Sequence, residues 1–127
     1  MVCASCHSEP LFTNQNFENN GLPIDTTLND WGRMLITHNP NDSLKFKVPT
    51  LRNIQFTYPY LHDGRFKKLR DVINHFSSSI PDSQTLSPQL QQPMNLTPND
   101  KVDLVAFLLT LTDKDFLFNT RQGFPRY

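Results

Sequence analysis

The chain has 127 residues, enough for one domain with a modest core. Its twelve Lys and Arg balance twelve Asp and Glu, which excludes a chain-wide electrostatic footprint for nucleic acid. Ten prolines with 37% apolar residues point to a loop-rich fold, and no apolar run is long enough to span a membrane.

The first element is a short helix over residues 2–8, and it holds the segment CASCH. Cys3 and Cys6 are the only cysteines, and His7 follows at once. Three chemistries compete for this pattern. A zinc site needs four ligands, usually two such pairs, but His38, His62 and His75 are scattered. A thioredoxin-type pair follows a strand, and only Met1 and Val2 stand before this one. Covalent haem c attachment uses C-x-x-C-H itself: the thiols add to the two vinyl groups and the histidine becomes the proximal iron ligand. A chance match would have to consume both cysteines of the chain. A buried porphyrin would also supply apolar mass that the side chains lack. Haem c proteins mature outside the cytoplasm, so the protein is expected to be periplasmic or otherwise exported, with the export signal upstream of Met1.

From Glu9 to about Gly64 no helical period persists, and NNGLP and HNPND are turn clusters. LKFKV alternates Leu44, Phe46 and Val48 with two lysines and reads as a short extended segment ended by Pro49. The first clear helix is expected over Phe66–Ser77, with Phe66, Leu69, Val72, Ile73 and Phe76 on one face. SSSIPDSQTLSPQLQQP is polar, punctuated by proline, and reads as loop or short turns. Thr97, Pro98 and Asp100 then form a helix start, and the helix should run from Pro98 to about Thr112. Its apolar residues, from Val102 to Leu111, surround almost the whole circumference, so it should be covered on several sides, and self-association is expected where the cover is missing. An extended apolar strap, 116–127 with Phe118, Phe124 and Tyr127, should follow a domain spanning 1–115. Charge is uneven. Lys45, Lys47, Arg52, Arg65, Lys67, Lys68 and Arg70 face only Asp63 and Asp71 in the stretch 44–71. Solvated loops explain this, as do neutralisation of haem propionates and steering of an acidic redox partner.

CASCHSEPLFTNQNFENNGL (3–22), FKVPTLRNIQFTYPYLHDGRF (46–66) and LTPNDKVDLVAFLLTLTD (96–113) together resemble the C-terminal domain of bacterial di-haem cytochrome c peroxidases. That group includes the related enzyme that matures the tryptophan-derived quinone of methylamine dehydrogenase. The resemblance runs from Cys3 to about Asp113, and PTLRN and PYLHDG after C-x-x-C-H are its specific parts. It implies an all-α, cytochrome-c-like fold with short helices, long loops and little or no strand. It implies one covalent haem c in this half, which takes electrons from a small cytochrome or cupredoxin. Peroxide chemistry would belong to an N-terminal haem domain. A calcium ion between the domains would take backbone carbonyls of Thr57 and Pro59, although FTYPY also reads as a plain proline turn. A homodimer is a further expectation, and a stand-alone mono-haem electron-transfer cytochrome is the alternative.

Arg52 in PTLRN is the candidate partner of a haem propionate, by its planar fork. His62 is read as holding a loop, and Trp31 as covering the haem edge or core. The resemblance puts a methionine or tyrosine sixth ligand fourteen residues after the HDG histidine, where this chain has Phe76. His75, displaced about 100° around the helix, is the first substitute. Met94 follows as the second, with Met34 and His38 behind. The iron is therefore expected to be five-coordinate or weakly six-coordinate.

Overall fold

The computed structural model describes residues 2–121 and Gly123. The elements in chain order are α1 (Cys3–Cys6), β1 (Phe17–Glu18), α2 (Met34–Thr37), β2 (Phe46–Lys47), α3 (Leu69–Ser77), α4 (Pro98–Thr110) and α5 (Lys114–Leu117). Single 3-10 turns lie at Pro40–Asp42, Ile54–Phe56 and Pro88–Leu90. The chain is thus helix-rich, with long loops. Among the described residues no helix is long and apolar enough to cross a membrane.

Two helices make the main core. Leu69, Ile73 and Ser77 recur every four residues on α3 and are its buried positions. Leu69 and Ile73 meet Leu108 of α4, and Leu51, Ile54, Tyr60, Leu96, Leu104, Val105 and Leu111 close around them. Ser77 spends its burial on a bond, its Oγ accepting from the Leu96 amide at 3.1 Å, which fixes the entry to α4. α3 begins three residues later than the apolar pattern suggested. The Tyr60 amide donates to the Phe66 carbonyl at 2.7 Å, an isolated antiparallel bridge that holds Phe66 in extended chain.

α4 starts as expected. Thr97 Oγ1 accepts from the Asp100 amide at 3.2 Å, and Asp100 Oδ2 accepts from the Thr97 amide at 2.9 Å, a reciprocal capping box. The helix ends at Thr110, with Leu111 as its cap. Leu108 is buried, while Val102 is 67% exposed and Phe107 and Leu109 remain largely open. All-round apolarity has therefore not become all-round burial in this chain.

Strand is confined to one small pair: β1 and β2 run antiparallel, Phe17 opposite Lys47 and Glu18 opposite Phe46. The alternation of LKFKV found a partner in a segment without its own strand signal. The strap does not begin as extended chain at 116, because Asp113 accepts from the Phe116 amide at 2.9 Å and caps α5. The expected boundary after 115 thus falls inside a helical turn. Phe118 then packs edge-on against Phe56, at 5.8 Å between centroids. The strap residues Phe124 and Tyr127 lie outside the described residues. The polar segment after α3 is loop with short turns, as expected, and it is pinned to the chain before it. Asn19, 1% exposed, donates through Nδ2 to Thr85 Oγ1 (2.9 Å) and Ser83 Oγ (3.2 Å), and its Oδ1 accepts from the Gly21 amide (2.8 Å). Gly21 is held at φ +70°, and a Cβ there would lie 2.0 Å from Ile80 Cγ2, so only glycine lets the two segments close.

Burial is thin overall. Among the described residues six apolar side chains are buried: Leu22, Val48, Leu69, Ile73, Leu86 and Leu108. The accessible surface is 9053 Å2, against about 6,900 Å2 for a compact monomer of this mass.

Candidate functional site

The single turn α1 sets Cys3 and Cys6 three residues apart, both half-buried and unbridged. Burial pushes both thiols above their ordinary pKa, so they stand as protonated thiols at neutral pH. His7 closes the turn, its amide donating to the Cys3 carbonyl at 2.9 Å.

The imidazole of His7 is oriented from its far side. Nδ1 lies 3.1 Å from the Phe12 carbonyl oxygen. A carbonyl can only accept, so Nδ1 carries the proton. Burial lowers the His7 pKa, which favours the neutral ring. The lone pair is then on Nε2, the atom needed for a metal bond, and the Nδ1 partner fixes both tautomer and ring direction.

Phe12 is itself held by the segment PTLRN. The Thr50 hydroxyl donates to the Leu11 carbonyl at 2.5 Å, the Leu51 amide donates to the Phe12 carbonyl at 3.3 Å, and Arg52 Nε donates to the Pro10 carbonyl at 3.0 Å. Arg52 also lies over the Phe12 ring, 5.5 Å from its centroid. Thr13 Oγ1 donates to the Val48 carbonyl at 2.7 Å, and the Asn14 amide returns to the Cys6 carbonyl at 2.8 Å. Two distant stretches of sequence thus interlock around one imidazole. The reading from sequence found Cys3, Cys6, His7 and Arg52. It missed Thr13, Thr50 and the Phe12 carbonyl, because a backbone acceptor leaves no mark in the side-chain pattern.

The other candidates are dispersed. His75 is half-buried, and its Nε2 lies 3.0 Å from the Asn20 carbonyl oxygen, to which it must donate. It lines an open cleft of about 590 Å3 with Phe66, Asp71, Asn74 and Ile80. Phe76 is half-buried, its ring edge-on to His75. Met94 and Met34 are half-buried, and His38 is exposed in a left-handed conformation after α2. The His62 ring lies flat on Phe46, 3.6 Å between centroids and 7° from parallel. Trp31 is half-buried and donates from Nε1 to Asn29 Oδ1 at 2.9 Å. Thr57 and Pro59 are exposed, on either side of Tyr58. Among the described residues no cluster of three or more His, Cys, Asp or Glu could hold a metal ion.

The donor set fits haem c. Two thiols on one helical turn suit two thioether bonds, and the next residue offers a neutral imidazole with Nε2 free. Half-exposed apolar side chains, Leu11 and Phe107 among them, leave surface for a porphyrin to cover.

No protein-family profile matches the chain. Among curated proteins, the cytochrome c551 peroxidase of Nitrosomonas europaea is 37% identical over 112 residues, covering 87% of this chain and 30% of that protein. The methylamine utilization protein MauG of Methylorubrum extorquens is 34% identical over 111 residues, 86% of this chain and 30% of that one. The cytochrome-c peroxidase IdrP1 of Pseudomonas sp. (strain SCT) is 28% identical over 151 aligned positions, 97% of this chain and 40% of that one. The chain therefore spans well under half the length of the curated relatives it matches. A solved MauG-like protein associated with microbial copper homeostasis superposes with a TM-score of 0.82 at 33% identity, covering 98% of this chain and 46% of that one.

Proposed function

Because the chain belongs to the family of di-haem cytochrome c peroxidases and MauG, we propose that it is the electron-accepting haem c domain, the C-terminal half, of such an enzyme. One observation carries this reading: the Cys3–Cys6–His7 turn whose Nε2 is freed by the Nδ1 bond to Phe12. Bound haem c supplies one-electron iron chemistry. The residues of the chain do the rest. Cys3 and Cys6 would hold the haem through two thioether bonds, and His7 Nε2 would be a ligand to its iron. The Phe12 carbonyl keeps the Nδ1 proton in place and with it the basicity of Nε2. Arg52 holds the Pro10 turn and carries a positive charge suited to a propionate.

In this reading the complete enzyme reduces hydrogen peroxide, with electrons from a small cytochrome or cupredoxin. This half relays them, and a partner haem domain performs the chemistry. The exposed outer face of α4, with Val102 and Leu109, supports contact with that domain. The carbonyls of Thr57 and Pro59, hydrogen-bonded to nothing among the described residues, suit a calcium ion completed from elsewhere. Haem c attachment supports a periplasmic or otherwise exported location.

The test is expression alongside cytochrome c maturation machinery. Mass spectrometry should show one haem bound covalently through Cys3 and Cys6, and the pyridine haemochrome should be that of two thioether bonds. Purified haem-loaded chain with peroxide and a reduced cytochrome should show only background turnover. Failure to attach haem, or robust turnover by this chain alone, would refute the assignment.

A further inference from the structure

The segment that holds Phe12 is itself fastened at a second point. Asn53 is half-buried at the end of PTLRN. Its amide donates to the Leu111 carbonyl at 2.9 Å, and its Oδ1 accepts from the Asp113 amide at 2.7 Å, 60 residues on. Leu111 caps α4 and Asp113 caps α5, so a single residue fixes the corner between the two helices. Thr112, between them, donates from Oγ1 to Gln55 Oε1 at 3.1 Å. Asn53 takes a left-handed φ of 60°, which asparagine tolerates better than most side chains. Phe12 is left-handed too, at φ 52°, and a bulky aromatic residue has no such tolerance. Strained backbone of this kind persists only where its surroundings over-determine it. Here they are the Leu51 amide on the Phe12 carbonyl (3.3 Å) and Phe107 of α4, edge-on to the Phe12 ring at 6.2 Å between centroids. The first contact comes from PTLRN and the second from α4, and Asn53 bonds those two elements together.

We infer that Asn53 is a positioning residue for His7: by locking PTLRN to the α4–α5 corner it keeps the Phe12 carbonyl on Nδ1, and so sets the strength of His7 as an iron ligand. The inference rests on the reading that the Cys3–His7 turn carries haem. One carbonyl oxygen, that of Phe12, meets both the Leu51 amide and, at 3.1 Å, His7 Nδ1. Leu51 and Ile54 pack on the core beside α4, which keeps the segment close. Apolar packing has no direction, whereas the two bonds of Asn53 fix one register. With the Asn53 bond lost, PTLRN shifts, the Leu51 amide leaves, and Phe12 relaxes toward negative φ. That turns its carbonyl away from the imidazole. An Nδ1 proton without its acceptor makes Nε2 a weaker donor, and a weaker donor favours Fe(II) over Fe(III). The effect is therefore a rise in reduction potential. Among the described residues Asn53 hydrogen-bonds to neither His7 nor the cysteines, so it acts through Phe12.

The test uses the haem-loaded chain. Asn53→Gly keeps the left-handed backbone and removes the Oδ1 acceptor, whereas Asn53→Asp keeps an acceptor. In redox titration Asn53→Gly should raise the Fe(II)/Fe(III) ratio at a fixed applied potential roughly three- to ten-fold, about 30–60 mV for one electron. Asn53→Asp should not raise it, since its added negative charge favours Fe(III). Thr112→Val, which loses the bond to Gln55, should move the potential the same way by less, and it carries the test if Asn53→Gly does not mature. In the cyanide-bound ferric chain, proton resonance should show the His7 Nδ1 proton exchanging with solvent roughly five- to ten-fold faster in Asn53→Gly. Thr97→Ala, which loses the capping box at the opposite end of α4, should lower the melting temperature and leave both readings unchanged. An unmoved or lowered potential in Asn53→Gly would overturn the assignment. So would an equal rise in Asn53→Asp or Thr97→Ala, because Asn53 would then be one more stabilising bond. A chain that matures without covalent haem would overturn the underlying reading and this one with it, and absorbance reports that before any titration.

Discussion

Replacing Cys3 and Cys6 together by alanine should leave a chain that does not fold cooperatively. The accessible surface of 9053 Å2 exceeds the expectation for a compact 14.7 kDa monomer by about 2,000 Å2. If about 55–60% of that excess is apolar, as on an average protein surface, it corresponds to about 30 kcal/mol of hydrophobic burial at about 25 cal/mol per Å2. Whole domains are stable by about 5–15 kcal/mol. A deficit of that size cannot be made up by better hydrogen bonding, so covering groups are needed, the porphyrin first among them. The assay compares haem-loaded wild type with Cys3→Ala/Cys6→Ala by thermal melting, followed in the far and near ultraviolet. The wild type should give a sigmoidal transition. The double variant should give weak near-ultraviolet signal and a gradual slope. A cooperative transition in the haem-free variant would refute the reasoning.

Asn19→Leu should destabilise the haem-loaded chain by about 2–3 kcal/mol, because it leaves the Gly21 amide without its acceptor and removes the donor to Thr85 and Ser83; denaturant titration measures it. Thr50→Val should cost about 1 kcal/mol through loss of the bond to Leu11, with a shifted haem spectrum, since the Phe12 clamp on His7 loosens. The ferric haem-loaded chain should give a high-spin resonance signal, because His75 Nε2 is engaged by Asn20. A low-spin signal lost in His75→Ala, or a methionine-to-iron charge-transfer band lost in Met94→Ala, would defeat that expectation. Burial lowers the His62 pKa from 6.5, partly opposed by Asp63 and Asp30. The unfolded state then binds the proton more readily, so this group's contribution to stability is present above pH 6.5 and is lost as pH falls through the native value. His62→Phe, which keeps the stack on Phe46, should flatten the acid limb of the stability profile. An unchanged slope would exclude His62 as its source.

The sequence by itself determined the chemistry that depends on covalent spacing. Cys3, Cys6 and His7 lie within one turn, so their joint use needs no knowledge of the fold. The start of α4 was equally legible, because Thr97, Pro98 and Asp100 satisfy the helix end through neighbours in the chain. The core face of α3 followed from its period, although its first turn did not. Phe66 is claimed by Tyr60, and no local signal announces that bridge. Tertiary structure decided everything that depends on a partner distant in sequence. PTLRN was visible as a motif, but its placement on the carbonyls of Pro10, Leu11 and Phe12 joins residues about forty positions apart. Asn19 reads as one more polar residue in a turn-rich stretch, yet it is the buried amide that fastens the segment after α3. The bond from His75 Nε2 to the Asn20 carbonyl, 55 residues away, left no trace in the sequence either. The physical reason is the same each time. Spacing along a helix fixes which side chains are neighbours, whereas a backbone carbonyl is identical in every residue, and only the folded chain says which one a donor meets.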